Sequence, residues 1–216
     1  MTIRGRTAGG LVVVLLLCVA AAPIPAKAAQ REPALRVLNS LPVSPEQGDG
    51  YDRDLFRHWS DLDGNGCDTR EDVLATERAS GTVRDCRVVD GTWVSRYDGR
   101  TTTEARTFDI DHMIPLKEAW DSGAWRWDAR TREAFANDVG YAGSLIAVTA
   151  RSNRTKSDRD PNEWLPDRDV CWYSKTWVAV KYRWRLAVDS AEKSTLTRIL
   201  RECPPLMVVP PIAGTR

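Results

Sequence analysis

Four cysteines, Cys67, Cys86, Cys171 and Cys203, remain once residues 1–28 are set aside as an export signal, and they restrict the fold more than any other feature. Arg4 and Arg6 form a positive start, Leu11 to Ala22 an apolar run, and Ala26-Lys27-Ala28 places small residues before a cleavage point at Ala29. The run is too short for a membrane span of about 20 residues. The expectation is a secreted chain that meets no membrane after cleavage, with the fifth cysteine, Cys18, removed with the signal. An even number of cysteines in an exported chain favours two disulfides. Of three connectivities the short-range one, Cys67–Cys86 with Cys171–Cys203, is preferred. A zinc site made from all four lacks any C-x-x-C spacing.

Charge then narrows the partners. The chain has 216 residues, net charge +1 and mean hydropathy −0.41. Removing Arg4, Arg6 and Lys27 from the 31 bases leaves 28 against 30 acids, so the mature chain is slightly acidic. A polybasic nucleic-acid coat is excluded. Residues 151–185 nevertheless hold nine Lys/Arg against five acids, a local strip of positive charge.

The pattern reads as one α+β domain over residues 51–203, preceded by an extended Pro/Gly leader at 29–50 and followed by a loose Pro-rich tail at 204–216. Short helices are expected at 51–60, 70–80, from Pro115 through Trp120 and at 131–137, with longer ones at 173–188 and 191–201. Val88 to Tyr97 reads as strand broken by turns at Asp90-Gly91 and Asp98-Gly99. Phe108 to His112 and Leu145 to Val148 read as strands, and a polar helix follows from Asn153. The nine tryptophans, Trp59 to Trp184, are expected mostly in the core.

The chain has two histidines, His58 and His112. His112 follows Asp109-Ile110-Asp111 at a strand end, where a histidine beside a carboxylate suits a general base near a metal. Strand, long connection, strand and polar helix together describe a ββα hairpin in which a carboxylate and an amide oxygen pinch a hard divalent cation. His58 reads as a surface or packing residue. Asp109, two residues before Asp111, shares its strand face and is an auxiliary ligand candidate. Glu118, on the next helix, carries less weight.

These segments, FDIDHMIPLKEAWDSGAW, FANDVG, LIAVTARSNRTKSDRDPNEWLP and CWYSKTWVAVKYRW, with DLDGNGCDTREDVL upstream, resemble exported HNH nucleases of the GmrSD-type, DUF1524-like branch. The resemblance covers most of residues 51–203. It implies an α+β domain built around a ββα-metal (HNH, His-Me finger) core with added helices. It further implies that Asp111 and Asn153 are metal ligands and His112 the base that activates water. The middle HNH position, usually Asn or His, falls on Ser144; either its hydroxyl or a backbone carbonyl then orients the imidazole. Arg151, Arg154 and Lys156 are candidates to hold phosphates. Mg²⁺ or Mn²⁺ is the expected cofactor, with Zn²⁺ and Ca²⁺ as alternatives.

A second metal motif lies at residues 61–72. Asp61, Asp63, Asn65, Thr69 and Asp72 occupy oxygen-donor positions of an EF-hand-like loop with Gly66 at its sharp turn. Asp at the last position and Cys67 in a disulfide count against calcium, and a capping turn for the following helix is the plainer reading. In the resembling family this segment recurs beside the nuclease motif, which places Asp68, Thr69 and Arg70 at the cleft border. The leading expectation is a secreted endonuclease acting on DNA, then RNA, with low sequence specificity, since no base-reading module is visible. The alternative is a non-catalytic extracellular module that binds calcium or nucleic acid through a degenerate HNH core.

Overall fold

Tyr173, Trp177, Val180 and Trp184 lie on one stripe of the longest helix, and the main core is organised around that helix. The computed structural model describes residues 30–214; the export signal expected at 1–28 lies outside the described residues. The elements in order are β1 (Gln30–Pro33), α1 (Ala34–Ser40), α2 (Thr69–Glu77), β2 (Ser80–Arg84), β3 (Arg87–Val94), β4 (Thr101–Thr102), β5 (Phe108–His112), α3 (Leu116–Asp121), α4 (Ala129–Ala136), β6 (Leu145–Thr149), α5 (Ala150–Lys156), α6 (Val170–Trp184), α7 (Ser190–Arg201) and β7 (Leu206–Val209). They form one mixed α/β domain whose strands make three small antiparallel sheets: β1 with β7, β2-β3-β4, and β5 with β6.

Buried residues surround α6 so fully that it is apolar on most of its faces. α1 and α7 pack against it, and Trp184 meets Trp127 and Phe135 at ring-centroid distances of 5.6 and 5.4 Å. A smaller core joins Val73 and Leu74 of α2, Trp93 of β3, and Phe108, Ile110, Leu145 and Ala147 of the β5–β6 hairpin. The hairpin lies between the two cores. Phe108, Ile110, Leu145 and Ala147 face the smaller one, while Ile146 and Val148 face the larger. Burial on both faces explains why Leu145 to Val148 is an unbroken apolar run.

Both cysteine pairs stand at disulfide distance. Cys67–Cys86, with Cα atoms 5.2 Å apart, ties the segment before α2 to the β2–β3 turn. Cys171–Cys203, at 5.6 Å, ties the start of α6 to the end of α7.

Four expectations are corrected. The leader is not simply extended: Ala34, Val37 and Leu38 recur at helical spacing, and α1 buries them against α6 and α7. The tail is not loose over its first part, because Leu206–Val209 pair with Gln30–Pro33, so the two ends of the domain close one sheet. Residues 51–60 make only a 3-10 turn at Arg53–Leu55, and Trp59 adopts a left-handed φ of 62° that no continuing helix allows. Asp90-Gly91 lies inside β3, where Gly91 passes opposite Gly81; the turn is at Asp85 and Cys86, both at positive φ, where the disulfide attaches.

Two polar groups, one fully and one partly buried, join these layers. Lys181 of α6, fully buried, donates to Glu118 Oε1 at 2.7 Å, Ser122 Oγ at 2.9 Å, the Ala187 carbonyl at 2.8 Å and Glu192 Oε2 at 2.7 Å. It therefore links α3, α6 and α7. Burial opposes its charge, but Glu192 and Glu118 outweigh that and hold the ammonium above its ordinary range. Lys181→Met leaves two carboxylates buried without a counter-charge and is expected to lose about 3–5 kcal/mol of stability in urea unfolding.

At the other end of the molecule, Glu77 of α2 accepts the Ala147 amide of β6 at 2.7 Å. Burial lifts its carboxyl to about 7 despite that hydrogen bond. The folded state thus holds a proton that the unfolded chain releases near 4.5, and stability falls as pH rises between those values. Glu77→Gln keeps an acceptor for Ala147 and cannot ionise. It should match the parent at pH 4 and exceed it by up to about 3 kcal/mol at pH 8 in urea unfolding.

Candidate active site

The hairpin β5–β6 and the helix α5 that follows it place the chemistry. Asp109 and Asp111 are opposite Val148 and Ile146 in register and so share the face toward the main core, while Ile110 and His112 take the other. α5 starts directly after β6: Thr149 is its N-cap, and Asp98 accepts from Thr149 Oγ1 at 2.6 Å and Ser152 Oγ at 3.1 Å. Burial works against the Asp98 charge, but these bonds and the Arg100 amide outweigh it and hold the carboxyl below its ordinary range. The Asp98-Gly99 turn thereby anchors the helix that carries Asn153.

Lys156, at the end of α5, is fully buried. Its ammonium donates to Asp111 Oδ2 at 2.7 Å, Asp111 Oδ1 at 2.9 Å and the His112 carbonyl at 2.7 Å. Tyr97 donates its hydroxyl to Asp111 Oδ2 at 2.6 Å. Burial lifts the Asp111 carboxyl and lowers the Lys156 ammonium, and their mutual contact offsets both. Lys156 was expected at phosphates. It is instead an internal strut, because its stem crosses the core and its charge is consumed by Asp111.

His112 is oriented by a main-chain group. Its Nε2 lies 2.9 Å from the Ala136 carbonyl oxygen. A carbonyl only accepts, so Nε2 carries the hydrogen and Nδ1 keeps a lone pair. Burial pushes the imidazole down to about 3, which keeps it neutral. Of the two expected partners of the imidazole, the Ser144 hydroxyl and a backbone carbonyl, the structure has the carbonyl. Ser144 is directed elsewhere: its hydroxyl donates to Asp138 Oδ2 at 2.7 Å, where Arg183 and Trp184 also converge. Ser144 belongs to a buried polar knot that fixes the approach to β6. His58, expected as a surface or packing residue, has its ring 6.4 Å from that of His112, and the Trp59 ring lies at 5.8 Å.

Asp111, His112 and Asn153 line one pocket of about 310 Å³, together with Arg53, Arg154 and Asp158. Asn153 Nδ2 donates to Asp109 Oδ2 at 3.1 Å, which turns its amide oxygen away from Asp109 and free for another partner. Among the described residues, Asp109 reaches the site through this contact and through Arg154, 3.9 Å away. Arg151 is exposed and does not line the pocket. Arg53, Tyr97 and the Ala136 carbonyl carry no sequence signal, since distant segments bring them here.

The 61–72 loop uses its oxygens internally. Asp61 accepts amides of Gly64, Asn65 and Gly66, and Asn65 donates to Asp63 and Asp72. Thr69 points away and donates to the Ser60 carbonyl at 2.7 Å. Asp68 caps α2 in a capping box with Glu71. Asp63, Asn65, Asp72 and Glu77 line a separate pocket of about 330 Å³. Among the described residues, the carboxylate groups that bring three ligand atoms together are Glu46–Glu118–Asp121 and Glu46–Asp160–Asp189, neither drawn from this loop.

Residues 69–199 match the family of the C-terminal domain of GmrSD restriction endonucleases, a span that contains the hairpin, α5 and the whole His112 pocket except Arg53. The chain belongs to this family. Family membership supports a nuclease-type enzyme. A protein of Arthroderma benhamiae named an uncharacterized secreted protein is 42% identical over 195 residues, covering 88% of this chain and 95% of its own. No solved structure matches. No helix among the described residues is long and apolar enough to cross a membrane.

Ser144→Ala should lower stability by about 1 kcal/mol in urea unfolding, the worth of one hydrogen bond. The ring-nitrogen NMR signals of His112 should not move, because Ala136 holds the ring; a tautomer change in this variant would return the orienting role to Ser144.

Proposed function

We propose that this GmrSD-family chain is an exported, metal-dependent HNH-type endonuclease that hydrolyses phosphodiester bonds in DNA, and in RNA second, with low sequence specificity. In this reading β5, β6 and α5 are the ββα-metal core. The observation that carries it is His112: a neutral imidazole, held at Nε2 by a carbonyl, with Nδ1 open in a pocket shared with Asp111 and Asn153.

The donor set fits a hard divalent ion such as Mg²⁺ or Mn²⁺. Asp111 lines the pocket and its Oδ1 has one protein donor among the described residues, and the Asn153 amide oxygen is free of Asp109. Asp111 and Asn153 would hold the ion, with Asp109 steadying Asn153. Bound there, it supplies neutralisation of charge on the scissile phosphate and the departing oxygen.

The protein groups do the rest. His112 Nδ1 accepts a hydrogen bond from a water and then its proton as that water attacks phosphorus. The phosphate's negative charge favours the imidazolium so formed, which offsets the depression that burial imposes. Lys156 and Tyr97 fix the Asp111 carboxylate, so the pocket does not reorganise during the reaction. Arg154 and Arg53 line the pocket and neutralise the flanking phosphates. Burial of Lys156 against Asp111 also motivates the competing reading, a module that binds nucleic acid without cutting it.

Plasmid nicking by the purified chain in Mg²⁺ or Mn²⁺, with a chelator control, decides between them. His112→Ala is expected to reduce nicking at least about 100-fold while leaving DNA retention intact. Nicking by His112→Ala at the parent rate refutes the assignment, and DNA retention with no cleavage by the parent chain selects the binding module.

A further inference from the structure

Three carboxylates converge where residues 42–50 cross α3. Glu46 comes from that segment and Glu118 and Asp121 from the helix, and an oxygen of each lies within 4.8 Å of the other two. The crossing is fixed by the main chain, since the Gln47 amide donates to the Asp121 carbonyl at 3.1 Å. None of the three lines the His112 pocket.

Asp121 supplies the second observation. The residue is only 7% exposed. Lys117 donates to its Oδ2, but Oδ1 is buried and has no hydrogen-bond partner among the described residues. Gly48 passes close by: a Cβ there would stand 4.0 Å from that oxygen and 3.6 Å from Lys117 Nζ, both ordinary contacts. A buried carboxylate oxygen without a donor costs stability, and a cation removes that cost.

Charge points the same way. Glu118 shares Lys181 with Glu192, so one ammonium serves two carboxylates. Lys117 is the counter-charge of Asp121, whereas Glu46 forms no ion pair among the described residues and also stands within reach of Asp160 and Asp189. Burial first, then the neighbouring carboxylates, lift Glu46 above its ordinary range, and Asp160 is lifted to about 6.

We infer that Glu46, Glu118 and Asp121 form a cation site separate from the His112 pocket, and that its ligand is Ca²⁺. Oxygen-only donors of this charge suit a hard cation, and calcium's ligand oxygens stand up to about 5 Å apart across the ion. Magnesium draws its ligands closer and demands octahedral geometry, which three carboxylates on a loop and a helix do not offer. The ion would clamp residues 42–50 to α3, and through α3 to the segment that follows His112. The inference does not depend on the nuclease reading.

The test uses the full disulfide-bonded chain and Ca²⁺ itself, by calorimetric titration and thermal unfolding, with Tb³⁺ luminescence excited through tryptophan as a position report. Trp120 donates its indole N–H to the Asp49 carbonyl at 3.1 Å and so flanks the segment. At about a hundredfold excess over Kd, Ca²⁺ should raise Tm by about 5 °C. Glu46→Gln, at an exposed position, should lose this calcium equivalent and the Tm rise, and Asp121→Asn should weaken binding at least about tenfold, both folding as judged by circular dichroism. Asn153→Ala and Asp63→Asn should keep the equivalent. Binding that is absent in the parent, that survives Glu46→Gln, or that is lost in Asn153→Ala or Asp63→Asn instead overturns the inference.

Discussion

The ion pair between Lys156 and Asp111 is the contact on which the site geometry depends. It joins the last residue of α5 to the next-to-last residue of the strand that ends in His112, and the same ammonium also holds the His112 carbonyl. With zero exposure of the lysine, neither charge can be released to water without opening the core. Such a pair contributes little net stability compared with an apolar replacement, yet it tolerates only one arrangement of helix against strand. Tyr97 adds a third fixed point. A carboxylate beside the pocket is thus held in one rotamer before any ligand arrives.

Around that strut the molecule uses the same device twice more. Lys181 gathers Glu118, Glu192 and Ser122 at the junction of three helices, and Asp138 gathers Arg183, Trp184 and Ser144 at the entry to β6. Each is a buried polar cluster whose members come from segments distant in sequence. Between them lie the two apolar cores, with the β5–β6 hairpin as their shared wall. The disulfides fasten the exposed β2–β3 turn to the segment before α2, and the buried end of α7 to the start of α6.

The apolar patterns of α6, α7 and the hairpin were legible because each element buries a face whose period shows in the chain. The helix α1 was missed among prolines, although Pro33 stands just before it, as a helix start permits. Asp90-Gly91 misled for a related reason. A dipeptide that favours turns entered a strand because Gly91 lets Trp93 pack closely over the backbone, which only the tertiary contact reveals. Asp111, His112 and Asn153 were legible as a group from motif and spacing. The neighbours that tune them were not, since Tyr97, Arg53 and the Ala136 carbonyl are brought in by chain reversal rather than by any local pattern.

By itself the sequence determined the family, the cysteine content and the residue types that meet in the pocket, because these follow from local order and chemistry. Only the tertiary structure decided what each polar group faces. Lys156 became a strut and not a phosphate contact because its stem runs inward from the last turn of α5. Ser144 was turned to Asp138, leaving a backbone carbonyl to orient His112. The carboxylates of residues 61–72 were turned onto their own amides, while Glu46, Glu118 and Asp121, which no motif links, were brought together. A side chain's direction is set by the packing of elements far apart in the chain, and spacing along the sequence does not encode it.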